Sequence, residues 1–202
     1  MPEPNPENED RDDLARRAAM VLFRSPEVSF EAALAAARRD RGSSNPVSMP
    51  GRGLVHRHLE AMLQEALGQA GFEASRRKRL AGIIEVLDLL EYLAGPDAID
   101  VAGRTAQGFL EGPLLVFTRL YGGAELASLA GELEASGIEE VACVTAHTRH
   151  GPLPRIIFSS DGIRFLVTRC PRALHAQRDR SLFSDRVVAV RSLAGLRTLG
   201  HA

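Results

Sequence analysis

The chain has 202 residues, 45% of them hydrophobic and 25% charged, with a net charge of −1 and two cysteines. This composition is that of a globular protein with one domain, or with a helical part beside an α/β part, and two cysteines exclude a scaffold built from disulfides. No segment approaches the roughly 18 consecutive apolar residues of a membrane span, and the acidic, proline-rich start is unlike a signal peptide, so we predict a cytoplasmic protein without a membrane partner.

The N-terminal half has the pattern of a helical region. Residues 1–11 are acidic and interrupted by proline, which predicts a disordered tail, and residues 12–95 carry apolar side chains at three- and four-residue spacing. Four helices are predicted: one from Asp12, one in "SFEAALAAARRDRG" with Ser29 as N-cap and Gly42 past its end, one over 54–69 and one over 75–94. The segment "SSNPVSMPGRG" is typical of a loop.

Beyond residue 95 the pattern changes to short β-branched runs, so residues 96–202 are predicted to form a second, α/β region. A strand is predicted at 114–118, a helix over 124–136, further strands in "EEVACVTAHT", "PRIIFSSDGIRFLVTRC" and "DRVVAVRSL", and a short terminal helix. Asp161-Gly162 predicts a tight hairpin turn. Helices followed by a hairpin-rich region favour an α+β fold, with the helical half packed on a small mixed sheet.

Residues 99–199 resemble the nucleotidyltransferase superfamily whose core is shared with DNA polymerase beta. The resemblance lies in the order of the elements: Gly103-Arg104-Thr105 stands where that superfamily has Gly-Ser, and "RIIFSSDGIRFLV" is similar to its later hairpin. It implies a sheet of nucleotidyltransferase-like topology, with Gly103, Arg104 and Thr105 at ligand-binding positions. The whole chain is also similar in layout to a group of uncharacterised bacterial proteins, through "SFEAALAAARRDRG", Met49-Pro50 and "LVHRHLEAMLQ".

The acidic residues of that superfamily are missing from the matching positions. Apolar residues stand there: Leu114 and Val116, or Leu115 and Phe117, for the paired acids, and Phe165 or Val167 for the third. The acids hold two divalent ions that activate the attacking hydroxyl, and apolar side chains offer such ions no oxygen. We therefore predict no catalytic residues, no metal and no cofactor. The alternative is a divergent metal-dependent nucleotidyltransferase that uses Glu111, Asp161 or Asp100.

Arginine is concentrated near the C-terminus. Residues 149–191 hold nine arginines and three aspartates, whereas residues 97–140 hold eight acids and two arginines. This asymmetry predicts a face for an anionic ligand or a protein partner, with Arg164, Arg169 and Arg172 as candidate ligand-binding residues. The sequence thus favours a non-catalytic binding or assembly module. A nucleic-acid-associated protein that uses the same arginines is a further alternative.

The cysteines and histidines suggest two weaker hypotheses. Cys143, His147, His150 and Cys170 lack the close, repeated spacing of zinc ligands, so a buried Cys143 and two exposed histidines are the simpler interpretation. Cys170 stands between Arg169 and Arg172, and neighbouring positive charge lowers a thiol pKa, which makes Cys170 a candidate nucleophile.

Overall fold

The computed structural model describes residues 6–26, 28–41, 48–122 and 125–201. The chain divides into two compact units. Unit 1 comprises residues 1–76 and 111–113, and unit 2 comprises residues 77–110 and 114–202. The division therefore falls inside a helix rather than between residues 95 and 96. Among the described residues, no helix combines the length and the apolar character that crossing a bilayer requires.

Unit 1 is helical and contains α1 (Pro6–Arg24), α2 (Phe30–Arg41) and the first part of α3 (Arg52–Ala94). Residues 6–11, predicted as tail, belong to α1, and proline suits a first helical turn because its missing N–H would have no partner there. The Ser29 hydroxyl accepts a 3.1 Å hydrogen bond from the Ala32 N–H, which confirms Ser29 as the cap of α2. Gly42 and residues 43–47 of the predicted loop lie outside the described residues.

The core of unit 1 consists of small and aliphatic side chains. Its buried members are Leu14, Ala15, Ala18, Ala19 and Leu22 of α1, Ala33, Leu34 and Ala37 of α2, and Val55 and Leu59 of α3. The three- and four-residue spacing of these positions places them on one face of each helix, which is why the periodic pattern predicted the helices correctly.

The third and fourth predicted helices form one element, α3, interrupted only at Gly68. Gly68 has φ 66° and ψ 164°, a conformation outside the helical region that glycine adopts without steric cost. Residues 70–74, predicted as a connection, are helical, and Phe72 is buried among them.

Unit 2 is built on a six-stranded mixed sheet with the strand order β3-β4-β5-β2-β1-β6. The strands are β1 (Ile99–Ala102), β2 (Leu115–Leu120), β3 (Ala142–Thr148), β4 (Gly151–Ser160), β5 (Ile163–Arg169) and β6 (Val190–Ser192). Only β2 and β5 run parallel, and α4 (Leu126–Ala135) and α5 (Leu193–Arg197) complete the unit. The α+β class and the mixed sheet are confirmed, whereas the nucleotidyltransferase-like topology stays a prediction.

Two local features of the sheet test the sequence pattern closely. Asp161 (φ 50°) and Gly162 (φ 72°) both have positive φ, as a type I′ turn requires, so the hairpin prediction is correct. In contrast, β1 was not predicted, because four residues with an aspartate at the second position give too little alternation to read.

One face of the sheet is apolar and packs against residues 80–90 of α3 and against α4 and α5. Val116 and Phe165, adjacent across β2 and β5, have no solvent exposure, and the Phe165 ring stacks on Phe158 with 5.0 Å between centroids. Val116 and Phe165 are among the positions at which the resemblance to nucleotidyltransferases predicts metal-binding acids. In this chain they form part of the hydrophobic core.

Truncating Phe165 to alanine is expected to lower the free energy of unfolding of unit 2 by about 3–5 kcal/mol, because the ring is fully buried and its removal leaves a cavity. Urea unfolding followed by circular dichroism measures the change. The control is Tyr92→Ala: Tyr92 is 86% exposed, so its loss should change stability by no more than about 0.5 kcal/mol.

Candidate anion-binding site

The opposite face of the sheet carries a row of buried polar side chains across four neighbouring strands. Asp100 of β1 pairs with Arg119 of β2, Arg119 pairs with Thr168 of β5, and Thr168 pairs with Arg155 of β4. Each of the four residues is at most 9% exposed. Because residues paired in register project to the same side of a sheet, these four form one line, which we call the polar row.

Residues 178–188, which we call the roof, lie over the polar row. Arg119 Nη1 and Nη2 donate 2.6 Å hydrogen bonds to the carbonyl oxygens of Arg178 and Arg180. The roof also has internal bonds, including those from the Val188 N–H to the Asp179 carbonyl and from the Ser181 N–H to the Arg186 carbonyl. The guanidinium of Arg119 thereby attaches the roof to the sheet.

Arg155 has fewer partners than Arg119. Its Nε donates a 2.9 Å hydrogen bond to Thr168 Oγ1, and its guanidinium carbon lies 5.2 Å from the centroid of the Phe183 ring. Within the described ranges, Nη1 and Nη2 of Arg155 donate no hydrogen bond, and the group forms no ion pair with a carboxylate. Desolvation lowers the pKa of Arg155, but the ordinary pKa of arginine is so high that the charge persists at neutral pH.

A cavity of about 190 Å³ lies between the sheet and the roof. Arg119, Arg155 and Thr168 contribute polar groups to its wall. The apolar part of the wall comes from Ala102 and Phe117 of the sheet and from Leu182, Phe183 and Val188 of the roof. We call this space the roof cavity. A positively charged, desolvated group beside an open volume is the arrangement that a small anion requires.

Two groups near the arginines would serve as internal counterions only if they were ionised, and both are neutral at pH 7. Burial raises the pKa of the Cys170 thiol to about 11, although Arg119 and Arg155 oppose the shift. Burial likewise raises the pKa of Tyr121 to about 12. Cys170 is therefore not the activated nucleophile that its flanking arginines suggested.

Asp100 is the one carboxylate in the polar row, and its partners are distant. Its carboxylate oxygens lie 3.7 Å from Arg178 Nη1 and 3.8 Å from His175 Nε2, and Oδ2 accepts no hydrogen bond within the described residues. Around the roof, the guanidinium groups of Arg119, Arg155, Arg178, Arg180 and Arg186 outnumber the carboxylates of Asp100, Asp179 and Asp185. The local excess of positive charge favours an anion from outside the chain.

Of the site residues predicted near the first strand, only Gly103 reaches the roof cavity. Its φ of 80° suits glycine, and its N–H donates to the Ala189 carbonyl. Arg104 lies over the Phe109 ring at 4.7 Å, and Thr105 is fully buried in a short 3-10 helix. That segment supports the end of β1.

The other three predicted arginines do not all meet at one site. Arg169 and Arg172 line an open groove of about 500 Å³, whereas Arg164 is exposed at the start of β5. Sequence reasoning missed Arg119 and Arg155, which lie at the cavity. The available signal was an arginine inside an apolar run, as in "LLVFTRLY" and "PLPRIIF", because such a residue is enclosed once the strand is covered.

Of the acids proposed for a divergent transferase, Asp100 and Asp161 lie far apart in unit 2, and Glu111 belongs to unit 1. Asp161 lies at the turn before β5, seven residues before Thr168, so roughly 20 Å of strand separates it from the polar row that contains Asp100. In unit 1, Glu111 is buried and Arg76 Nε lies 3.1 Å from it. Asp100 and Asp161 do not form a pair that holds one ion.

A groove of about 960 Å³ in unit 1 is lined by exposed ion pairs. Asp13 receives hydrogen bonds from Arg16 and Arg17 at 2.9 and 2.8 Å, and these lower its pKa. Arg17 also pairs with Asp40 at 3.4 Å. Four arginines and two aspartates line this groove, and Arg16, Arg24 and Arg39 are exposed. Water solvates exposed guanidinium groups, so this groove does not single out a ligand.

The interpretation of Cys143 as a buried residue is wrong. Cys143 is exposed in β3, whereas Cys170 is buried at the end of β5. His147 and His150 are exposed, as predicted. Throughout the described part of the chain, no three histidine, cysteine, aspartate or glutamate side chains are grouped as metal ligands would be.

Iodoacetamide at pH 8 is expected to modify Cys143 and to leave Cys170 unmodified in the folded protein. Cys170 is buried, and a thiol with a pKa of about 11 is almost entirely protonated at pH 8. Mass spectrometry of tryptic peptides measures both sites. Modification in denaturant is the control, and rapid modification of Cys170 in the native protein would contradict the burial described above.

Comparisons with known proteins give no match from which a function could be inferred. No protein-family model matches the sequence, and neither a search of curated proteins nor one of solved structures finds a match. The resemblance to nucleotidyltransferases therefore stays a prediction, and the polar row with its roof cavity is the feature on which a function is proposed.

Proposed function

We propose that unit 2 is a non-catalytic binding module that holds a small anion in the roof cavity. The observation that carries the proposal is Arg155, which is 9% exposed and lines the cavity, and whose Nη1 and Nη2 have no acceptor among the described residues. Burial desolvates the guanidinium, which lowers the pKa of Arg155. An anion in the cavity would offset that desolvation cost.

We also propose that the sheet is a nucleotidyltransferase-like scaffold that serves binding instead of transfer. The order of strand, helix and hairpin supports this proposal, and so does the replacement of the metal-binding acids by Val116 and Phe165. A core position cannot gain a carboxylate without burying its charge, so the apolar residues are consistent with a fold maintained for stability and recognition.

A second candidate function is binding of nucleic acid or of an acidic protein surface. The observation that favours it is the groove shared by Arg169 and Arg172, which is larger and more open to a polymer than the roof cavity. We rank it second because Arg172 is exposed, and an exposed guanidinium is solvated without a partner.

Replacing Arg155 with methionine tests the first proposal. In buffer without added anions, Arg155→Met should be as stable as the wild type or more stable, by about 1–4 kcal/mol, because it removes an unpaired buried charge. Sodium acetate or phosphate should then raise the unfolding midpoint of the wild type more than that of the variant. Thermal and urea unfolding measure both effects.

Arg164→Met is the matched control, since Arg164 is exposed on β5 and its loss should leave the response to anions unchanged. General salt effects act on all three proteins alike, so only the difference between them counts. A large loss of stability in Arg155→Met, together with an undiminished response to anions, would show that Arg155 is structural.

The double variant Arg169→Ala, Arg172→Ala separates the two candidates. Under the first proposal it keeps the anion-dependent stabilisation that Arg155→Met loses. The second candidate would instead be supported if a labelled oligonucleotide binds the wild type, loses affinity as salt rises, and binds the double variant more weakly, because released counterions drive such binding. Fluorescence anisotropy at several salt concentrations measures the affinity.

A further inference from the structure

We infer that the ligand of the roof cavity is a monocarboxylate with an apolar body about the size of one ring. This inference rests on the proposed function and adds the chemical class of the ligand. Three properties of the cavity lead to it: the volume, the number of available donors, and the apolar character of its wall.

The volume limits the ligand to a small molecule. A cavity of roughly 150 Å³ lined by aliphatic and aromatic side chains holds benzene, whereas sites for drug-sized ligands and cofactors span roughly 300–1,000 Å³. At about 190 Å³ the roof cavity fits one ring with a small substituent and is too small for a nucleotide.

The donors match one carboxylate. Arg119 donates hydrogen bonds through Nη1 and Nη2 to two roof carbonyls, and Arg155 donates one through Nε to Thr168 Oγ1. Nη1 and Nη2 of Arg155 donate to no acceptor among the residues that the structure describes, and two parallel N–H groups pair with the two oxygens of a carboxylate. A phosphate dianion has more oxygens to satisfy. Asp100, in register with Arg119 in the same row, also disfavours a second negative charge.

The wall supplies an apolar enclosure for the rest of the ligand. Phe117 and Leu182 contribute apolar surface to the cavity, and Leu182 is buried. Phe183 is 51% exposed although its ring lies beside the Arg155 guanidinium, so it forms the solvent-facing edge of the cavity. A ring bound against Phe183 would cover apolar surface that now faces water, whereas a hydrated inorganic anion would not.

Calorimetric titration of the full chain with four probes tests the inference. Benzoate carries both a carboxylate and a ring, benzamide lacks the charge, acetate lacks the ring, and inorganic phosphate is an anion without an apolar body. We expect benzoate to bind about tenfold or more tightly than benzamide, because a charged acceptor strengthens the hydrogen bonds from Arg155. Benzoate should also bind about tenfold or more tightly than acetate, because the ring buries apolar area.

Two variants locate the site. Arg155→Met should lose the preference for benzoate over benzamide, whereas Arg164→Met should keep it. Val188→Phe, which adds a ring to the cavity wall and leaves Arg155 in place, should exclude benzoate and keep the test informative if Arg155→Met does not fold.

The possible failures are distinguishable. If phosphate or acetate binds as tightly as benzoate and Arg155→Met abolishes that binding, the roof cavity binds anions but the inferred ligand class is wrong. If no anion binds the wild type differently from Arg155→Met and Val188→Phe, both the inference and the proposed function are wrong.

Discussion

Arg119 attaches the roof to the sheet, together with the Arg149 N–H, which donates to the Leu182 carbonyl. The Arg119 guanidinium donates two 2.6 Å hydrogen bonds to the carbonyls of Arg178 and Arg180. Neutral backbone carbonyls satisfy the geometry of a guanidinium but not its charge, and Asp100, in register on β1, is the nearest compensation in the row. The same two bonds enclose the roof cavity, because they position residues 178–188 over the neighbouring strands. A structural arginine thus helps to enclose the space in which a second arginine, Arg155, has no counterion from the described part of the chain.

The two faces of the sheet show how closely one strand can place an apolar core and a row of buried polar groups. On β2, Val116 enters the hydrophobic core, and Arg119, three residues later, enters the polar row. On β5, Val167 and Thr168 are buried on opposite faces. Because successive residues of a strand alternate between faces, helices can supply an apolar layer on one side while an irregular segment covers charged groups on the other.

The elements that the sequence predicted correctly depend on short-range chemistry. Ser29 caps a helix through a residue three positions away, and Asp161-Gly162 forms a turn from its own φ angles. The polar row depends on pairings between distant segments, among them the parallel contact of β2 with β5, which local periodicity does not encode. Cys170 illustrates the same limit: its sequence neighbours indicated a lowered pKa, but burial, which only the fold reveals, raises it.

The strand order has a consequence for how unit 2 is assembled. Short turns join β3, β4 and β5. In contrast, β2 pairs with β5, which follows more than forty residues later in the chain, and β1 pairs with β6, which follows almost ninety residues later. Closing such long loops costs chain entropy before the strands gain stabilising contacts, and this cost slows folding. Because a ribosome synthesises the chain from the N-terminus, the β2–β5 pair would form only after β3, β4 and β5 have all emerged. The segment that encloses the roof cavity follows later still, so a chain interrupted before residue 178 would have the walls of the cavity without its cover.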